Sequence, residues 1–65
     1  MQKEEIIRFL NAENTSNNEF KIVLSNSFVL YGTILELNED SLRFKTKNAT
    51  SLISFDEIRM LIRRD

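Results

Sequence analysis

The chain has 65 residues, with nine Lys or Arg, ten Asp or Glu and a formal net charge of −1. This length supports at most one domain, and a single core of this size supplies only about 3–5 kcal/mol of stability. Because the chain contains no Cys and no His, disulfides and the usual His/Cys metal sites are excluded. Oligomerisation is the remaining common way to stabilise so small a domain, so we expect a multimer.

Several function classes are disfavoured. The lack of Cys and of an apolar N-terminal segment predicts a cytoplasmic protein, and no apolar run approaches the length of a membrane span. Acid–base catalysis would depend on carboxylate pairs in exposed turns, Glu39/Asp40 and Asp56/Glu57, so we do not expect an enzyme. No cofactor, metal or small-molecule substrate is expected.

The small net charge hides an asymmetry along the chain. Residues 1–40 carry three basic and seven acidic side chains, a net charge of −4, whereas residues 41–65 carry six basic and three acidic ones, a net charge of +3. Two interpretations remain open. The charges are ordinary solvated groups, or folding collects the basic ones into a surface that attracts phosphate.

Residues 1–13 are predicted to hold a short helix, and residues 14–19 a polar linker. The apolar residues expected on one side of the helix are Ile6, Ile7, Phe9 and Leu10. A helix of about ten residues is not stable alone, so this side is expected to pack on the rest of the domain.

Five strands are predicted between residues 20 and 63. Their bounds are Phe20–Leu24, Phe28–Leu37, Ser41–Thr46, Thr50–Ser54 and Ile58–Arg63. Gly32, the only glycine, lies inside the second strand, where it indicates a sharp bend or a close approach of another backbone. The predicted fold is mainly β, with one N-terminal helix and a strongly bent antiparallel sheet that forms a small open barrel. An SH3-like barrel is the alternative.

Alternation along the strands predicts which side chains share a face. In the second strand one face holds Val29, Tyr31, Leu35 and Leu37, and in the fifth strand one face holds Ile58, Met60 and Ile62. Leu61 then becomes an apolar residue on the polar face. Between the first two strands, Asn26 is expected to supply the left-handed backbone of the turn.

The fourth strand, Thr50–Ser54, has no charge, proline or glycine. At the edge of a sheet it would therefore lack the features that prevent pairing with another chain. Together with the apolar Leu61, this predicts that strand four of one subunit pairs with strand five of the next and closes a ring. The expected interface residues are Leu52, Ile53, Ser54, Met60, Leu61 and Ile62. In the SH3-like alternative, both edges pair within one chain.

The order of elements and two sequence stretches resemble the Sm-like family, and within it the Hfq-type bacterial RNA chaperones. The apolar-x-Asn-Gly stretch of Hfq-type sequences is matched by Leu24-Ser25-Asn26-Ser27, followed by Gly32 and by Leu37-Asn38. The second Sm motif resembles the stretch from Leu52 to Ile58, LISFDEI. The resemblance covers about residues 20–62.

The resemblance implies a cytoplasmic homo-oligomeric ring, a hexamer or heptamer, that binds single-stranded RNA. On the pore side it assigns RNA contacts to Asn38, Glu39, Asp40, Phe55 and Asp56. On the opposite, distal side it assigns them to Phe28, Leu30 and Tyr31. The candidates for phosphate contacts are Lys45, Lys47, Arg59, Arg63 and Arg64.

The sequence departs from the family pattern on the pore side. Asp40 stands where the family has a stacking aromatic or His, and Leu42 where Sm proteins have an Asn that reads uracil. Phe55 and Asp56 stand where Hfq has Lys-His. An acidic pore would repel phosphate, since RNA affinity depends on neutralising it.

Two hypotheses follow: an RNA-binding ring with an altered pore site, or a protein-interaction ring without RNA. Phe55 either stacks a base or fills the core, and Tyr31 either stacks a base or lies half-buried on the barrel wall.

Overall fold

A computed structural model describes residues 1–13 and 19–64. The elements are helix α1 (Lys3–Glu13), strands β1 (Glu19–Leu24), β2 (Val29–Leu37), β3 (Ser41–Thr46), β4 (Thr50–Ser54) and β5 (Ile58–Arg64), and a 3-10 turn (Phe55–Glu57). Residues 14–18 of the predicted linker lie outside the described part. Within the two described ranges, no helix is long and apolar enough to cross a membrane.

The five strands form one antiparallel sheet in the order β4-β3-β2-β1-β5. The predicted fold class is confirmed: the protein is mainly β with one N-terminal helix, and β1 pairs with β5 as in the Sm fold. β4 and β5 are the two edges, and in the described sheet each has a single neighbouring strand. The SH3-like alternative required these edges to pair within the chain, which the topology does not show.

Helix α1 covers the inner face of the sheet. Ile6 is fully buried, and Phe9 and Leu10 pack against the core, with the Phe9 and Phe20 rings edge-to-face at 5.8 Å. The Gln2 N–H donates to Glu5 Oε1 at 3.0 Å, a side-chain bond that satisfies one free donor at the start of the helix. The helix therefore docks as predicted, except that Ile7 is on its exposed side. Ile6, Phe9 and Leu10 share one side of the helix because they are spaced i, i+3 and i+4, and Ile7 does not belong to that set.

The core is a single apolar cluster. Its buried members are Ile6, Phe20, Ile22, Leu42, Phe44, Ile53, Phe55, Ile58 and Leu61. β3 contributes by alternation, because Leu42 and Phe44 point inward while Arg43 and Lys45 are exposed. The sheet and the 3-10 turn together supply most of the apolar surface that leaves water.

Two β-bulges overturn parts of the predicted face assignment. In β2 the register shifts between Ile34 and Glu36, so Leu37 pairs with buried Leu42 and packs on the core, opposite to its predicted face. In β5 the register against β1 shifts after Ile58. Leu61 is therefore buried. An extra residue in a strand moves every later side chain to the other face.

The shift in β5 also moves two residues that were predicted to share a face with Ile58. Met60 and Ile62 are exposed on the outer face, whereas Ile58 is buried. Leu61 is thus a core residue rather than an apolar residue on a polar face.

The turn between β1 and β2 is closed by three hydrogen bonds. The Leu24 N–H donates to the Phe28 oxygen at 2.8 Å, the Ser27 N–H to the Leu24 oxygen at 2.9 Å, and the Phe28 N–H to Asn26 Oδ1 at 3.1 Å. Ser27 has a φ of 75°, the only non-glycine positive φ in the described residues. The left-handed residue is thus Ser27, at the position of the glycine in the Hfq-type pattern, and not Asn26 as predicted. Asn26 accepts a hydrogen bond with its side chain instead.

The first prediction concerns this turn. Ser27→Gly is expected to raise the free energy of unfolding by about 0.5–1 kcal/mol, because left-handed backbone costs an L-residue roughly 1–2 kcal/mol and the added freedom of the unfolded chain offsets part of the gain. Asn26→Gly is the control and should destabilise, because it removes the acceptor for the Phe28 N–H. Urea unfolding followed by circular dichroism measures both. A Ser27→Gly variant less stable than wild type would contradict the assignment of the strained residue.

Candidate nucleic-acid interface

A shallow groove on the outer face of the sheet brings together residues from four strands. Its lining is formed by Glu19, Val29, Leu30, Tyr31, Gly32, Thr33, Lys45, Thr46, Lys47, Asn48 and Arg64. The groove thus contains two of the three predicted distal residues and three of the five predicted phosphate contacts. Phe28 lies exposed just before β2, and Arg59 and Arg63 are exposed on β5; none of these three is part of the lining.

Strand register explains why Tyr31 faces this groove. Its neighbour Leu30 pairs with Ile22, which is fully buried, so Leu30 points toward the core. Tyr31 pairs with Lys21, which in turn pairs with Ile62, and this row lies on the outer face. The Tyr31 side chain is 46% exposed. Its ring is therefore accessible to a planar ligand group, although one of its sides is already in contact with Arg64.

Arg64 reaches the groove from the last residues of β5. Its guanidinium carbon lies 4.5 Å from the centre of the Tyr31 ring, a cation–π contact. Arg64 Nη1 also lies 3.7 Å from Glu19 Oε2, on the residue paired with Arg64 across β1 and β5. Lys45 and Lys47 enter from β3 and the following turn. The groove therefore combines one aromatic ring with three cationic side chains.

The predicted pore-side residues also meet in space. The Phe55 N–H donates to the Asp40 oxygen at 3.0 Å, which joins the turn after β2 to the 3-10 turn. The Asn38 N–H donates to the Ser41 oxygen at 2.8 Å, and the Asp56 N–H donates to Ser54 Oγ at 3.4 Å. The two segments to which the resemblance assigns the pore-side RNA contacts are thus adjacent within one chain.

This pore-side surface is acidic, and helix α1 adds to it. Glu4, Glu39, Asp40 and Asp56 line one depression beside Lys3, whose Nζ lies 3.3 Å from Glu39 Oε2. In the described ranges, no group of three acidic, His or Cys side chains is arranged to hold a metal ion. The surface therefore presents solvated carboxylates and the Lys3 ammonium to a ligand, while the Met1 α-ammonium donates to the Phe55 and Ile58 carbonyl oxygens.

Phe55 does not contribute a ring to that surface. Its side chain is only 5% exposed and belongs to the core cluster. Of the two roles considered for Phe55, the structure gives it the core one, because the 3-10 turn directs its ring under the sheet while Asp56 and Glu57 face outward. A base cannot stack on this ring without opening the core.

The predicted interface residues divide between the core and the two edges of the sheet. Ile53 and Leu61 are buried within the single chain, and Ser54 is half-buried. Leu52 on β4 is 66% exposed, and Met60 and Ile62 on β5 are exposed on the outer face. Apolar side chains are thus available beside both unpaired strand edges.

The sequence did not predict six of the residues that line the groove: Glu19, Val29, Gly32, Thr33, Thr46 and Asn48. Glu19 falls within the linker predicted for residues 14–19, and only its pairing with Arg64 across β1 and β5 makes it a groove residue. That pairing joins residues 45 positions apart, so no local pattern could reveal it. Lys3 and Glu4 on the pore side were missed for the same reason, because the docking of α1 brings them there.

No known protein-family model matches the chain, and a search of curated proteins gives no significant relative. The link to Sm proteins therefore consists of the motif resemblance and the strand topology.

Proposed function

We propose that the protein is an Sm-like, Hfq-like subunit that assembles into a homo-oligomeric ring and binds single-stranded RNA. RNA would lie in the groove around Tyr31 rather than at the acidic pore-side turns. The observation that carries the proposal is the groove itself, in which an exposed aromatic ring lies among Lys45, Lys47 and Arg64. Aromatic stacking platforms beside cationic side chains are how proteins hold single strands.

Two unpaired strand edges support the ring. β4 and β5 end the sheet on opposite sides, so one edge of a subunit can pair with the other edge of the next by a head-to-tail contact. Light scattering gives the mass in solution, where a hexamer or heptamer is expected. A species at the monomer mass of 7.7 kDa would reject the ring.

RNA binding is tested by fluorescence polarisation of labelled A-rich and U-rich oligoribonucleotides at low salt. Tyr31→Ala should weaken binding by about 5–150-fold, because stacking of one base contributes about 1–3 kcal/mol. Tyr31→Phe keeps the ring and should bind nearly as wild type. Asp40→Ala, on the acidic surface, should not weaken binding.

A second function is supported by the acidic pore-side surface. Carboxylates of Glu4, Glu39, Asp40 and Asp56 disfavour phosphate there, as expected of a protein-interaction ring that does not bind RNA. The polarisation experiment separates the two functions. If neither oligonucleotide binds below about 100 μM, the weak end of non-specific affinity, the RNA proposal fails and the scaffold function remains.

A further inference from the structure

Arg64 is held in the groove by two different contacts. The Tyr31 ring lies under its guanidinium at 4.5 Å, and Glu19 Oε2 lies 3.7 Å from Nη1. Among the described residues that line the groove, Glu19 is the only acidic one. Its carboxylate therefore lies beside the Arg64 guanidinium, the group to which a ligand phosphate would bind.

The two contacts differ in how easily a ligand can replace them. The ion pair is long, and its side chains are 52% and 56% exposed, so it belongs to the class of exposed pairs that contribute little and are screened by salt. Contact with the Tyr31 ring is made at the guanidinium carbon, and it does not use up the five N–H donors of the group. A phosphate can accept two of those donors at once, which a carboxylate at 3.7 Å does not do.

We propose that Glu19 is a built-in competitor for phosphate at Arg64. A phosphate of the bound strand displaces the Glu19 carboxylate, while the guanidinium stays on the Tyr31 ring. Glu19 thereby limits affinity and favours ligands whose phosphate can replace its carboxylate at Arg64. The identity of that ligand as RNA rests on the proposed function, whereas the exchange at Arg64 needs only phosphate.

The test compares Glu19→Gln with Glu57→Gln. Both variants remove one negative charge from an exposed position, but Glu57 lies at the 3-10 turn and outside the groove lining. With a labelled A-rich oligoribonucleotide, Glu19→Gln should bind about 3–10-fold more tightly than wild type. Glu57→Gln should change affinity less than twofold. Equal effects of the two variants would overturn the proposal, because they would indicate a general charge effect.

A double-mutant cycle locates the effect at Arg64. Arg64→Gln alone should weaken binding, and adding Glu19→Gln to it should then give no further gain. If Glu19→Gln strengthens binding equally in the presence and absence of Arg64, Glu19 does not act through the guanidinium, and the proposal is wrong. Circular dichroism of all variants checks that the fold is retained.

A second measurement separates this inference from RNA binding. The chain has one Tyr and no Trp, so its intrinsic fluorescence comes from Tyr31 alone. Titration with inorganic tripolyphosphate should change this fluorescence, with a midpoint about 3–10-fold lower in Glu19→Gln than in wild type. If this shift occurs and RNA does not bind, the exchange at Arg64 stands and the RNA function fails. If wild type binds RNA and Glu19→Gln matches it in both titrations, the function stands and the exchange fails.

Discussion

Gly32→Ala is expected to abolish the folded state. A methyl group at this position would lie 1.9 Å from the Lys45 carbonyl oxygen, 2.8 Å from its carbonyl carbon and 3.1 Å from the Thr46 Cα. All three atoms belong to the backbone of β3, so no side chain can rotate away. To remove this steric overlap, β2 and β3 would have to separate at the centre of the sheet, where Gly32 pairs with both Thr46 and Phe20.

The expected size of the effect follows from the small total stability. Overpacking costs about 1–3 kcal/mol in ordinary cores and more where backbone is displaced. A domain of this size has only about 3–5 kcal/mol of stability in its core. We therefore expect no cooperative thermal transition for Gly32→Ala by circular dichroism.

Thr33→Ala is the matched control for Gly32→Ala. It places an alanine at the next residue of β2, where a Cβ already exists, and should cost less than about 1 kcal/mol. A Gly32→Ala variant that unfolds with the same midpoint as Thr33→Ala would show that β3 does not approach β2 as closely as described.

The role of Gly32 shows what sequence could and could not predict. One glycine inside an apolar strand indicated a bend or a close backbone approach, and the structure selects the close approach. Gly32 does not have a positive φ, so freedom of φ is not the reason for glycine. The irregularity of β2 lies two residues further on, at the bulge between Ile34 and Glu36. A bulge has no residue signature here, because both residues around it fit an ordinary strand.

The alternation of side chains predicted strand bounds and inward-facing residues correctly where no bulge interrupts the strand. Strands β3 and β4 have the predicted bounds, and Leu42 and Phe44 point inward as alternation requires. The pattern failed in β5, where one extra residue opposite β1 placed Leu61 in the core. Such a slip depends on the partner strand, so it is invisible to a rule that considers one strand at a time.

The candidate site depended even more on distant pairings. Tyr31 and the cationic residues were each identified, but nothing in their spacing showed which of the cations would share a surface with the ring. Pairing of Lys45 with Thr33 across β2 and β3 places the lysine there. Pairing of Glu19 with Arg64 across β1 and β5 places the arginine there and also introduces a carboxylate into the groove. The chemistry of the site thus arises from sheet register rather than from any local motif.

Leu52→Pro is expected to convert the proposed ring into monomers. The Thr46 N–H donates to the Ala49 oxygen at 2.8 Å and the Phe55 N–H to the Asp40 oxygen at 3.0 Å. Antiparallel pairing alternates, so residues 49, 51, 53 and 55 direct their backbone groups toward β3. The Leu52 N–H, on an intervening residue, is therefore directed to the free edge. Proline removes this donor without removing a β3–β4 hydrogen bond, and edge strands accept proline for that reason.

The measurement is the mass in solution by light scattering, which should fall to 7.7 kDa, with circular dichroism to verify that the sheet remains. Leu52→Ala is the control, because it removes the same exposed side chain and keeps the N–H; it should retain most of the assembly. Leu52→Lys offers an independent variant that keeps the donor and places a charge on every β4 edge, a device by which natural sheets prevent edge pairing. Wild-type mass for both the proline and the lysine variants would exclude β4 as the assembling edge. Any ring would then have to use another surface of the subunit.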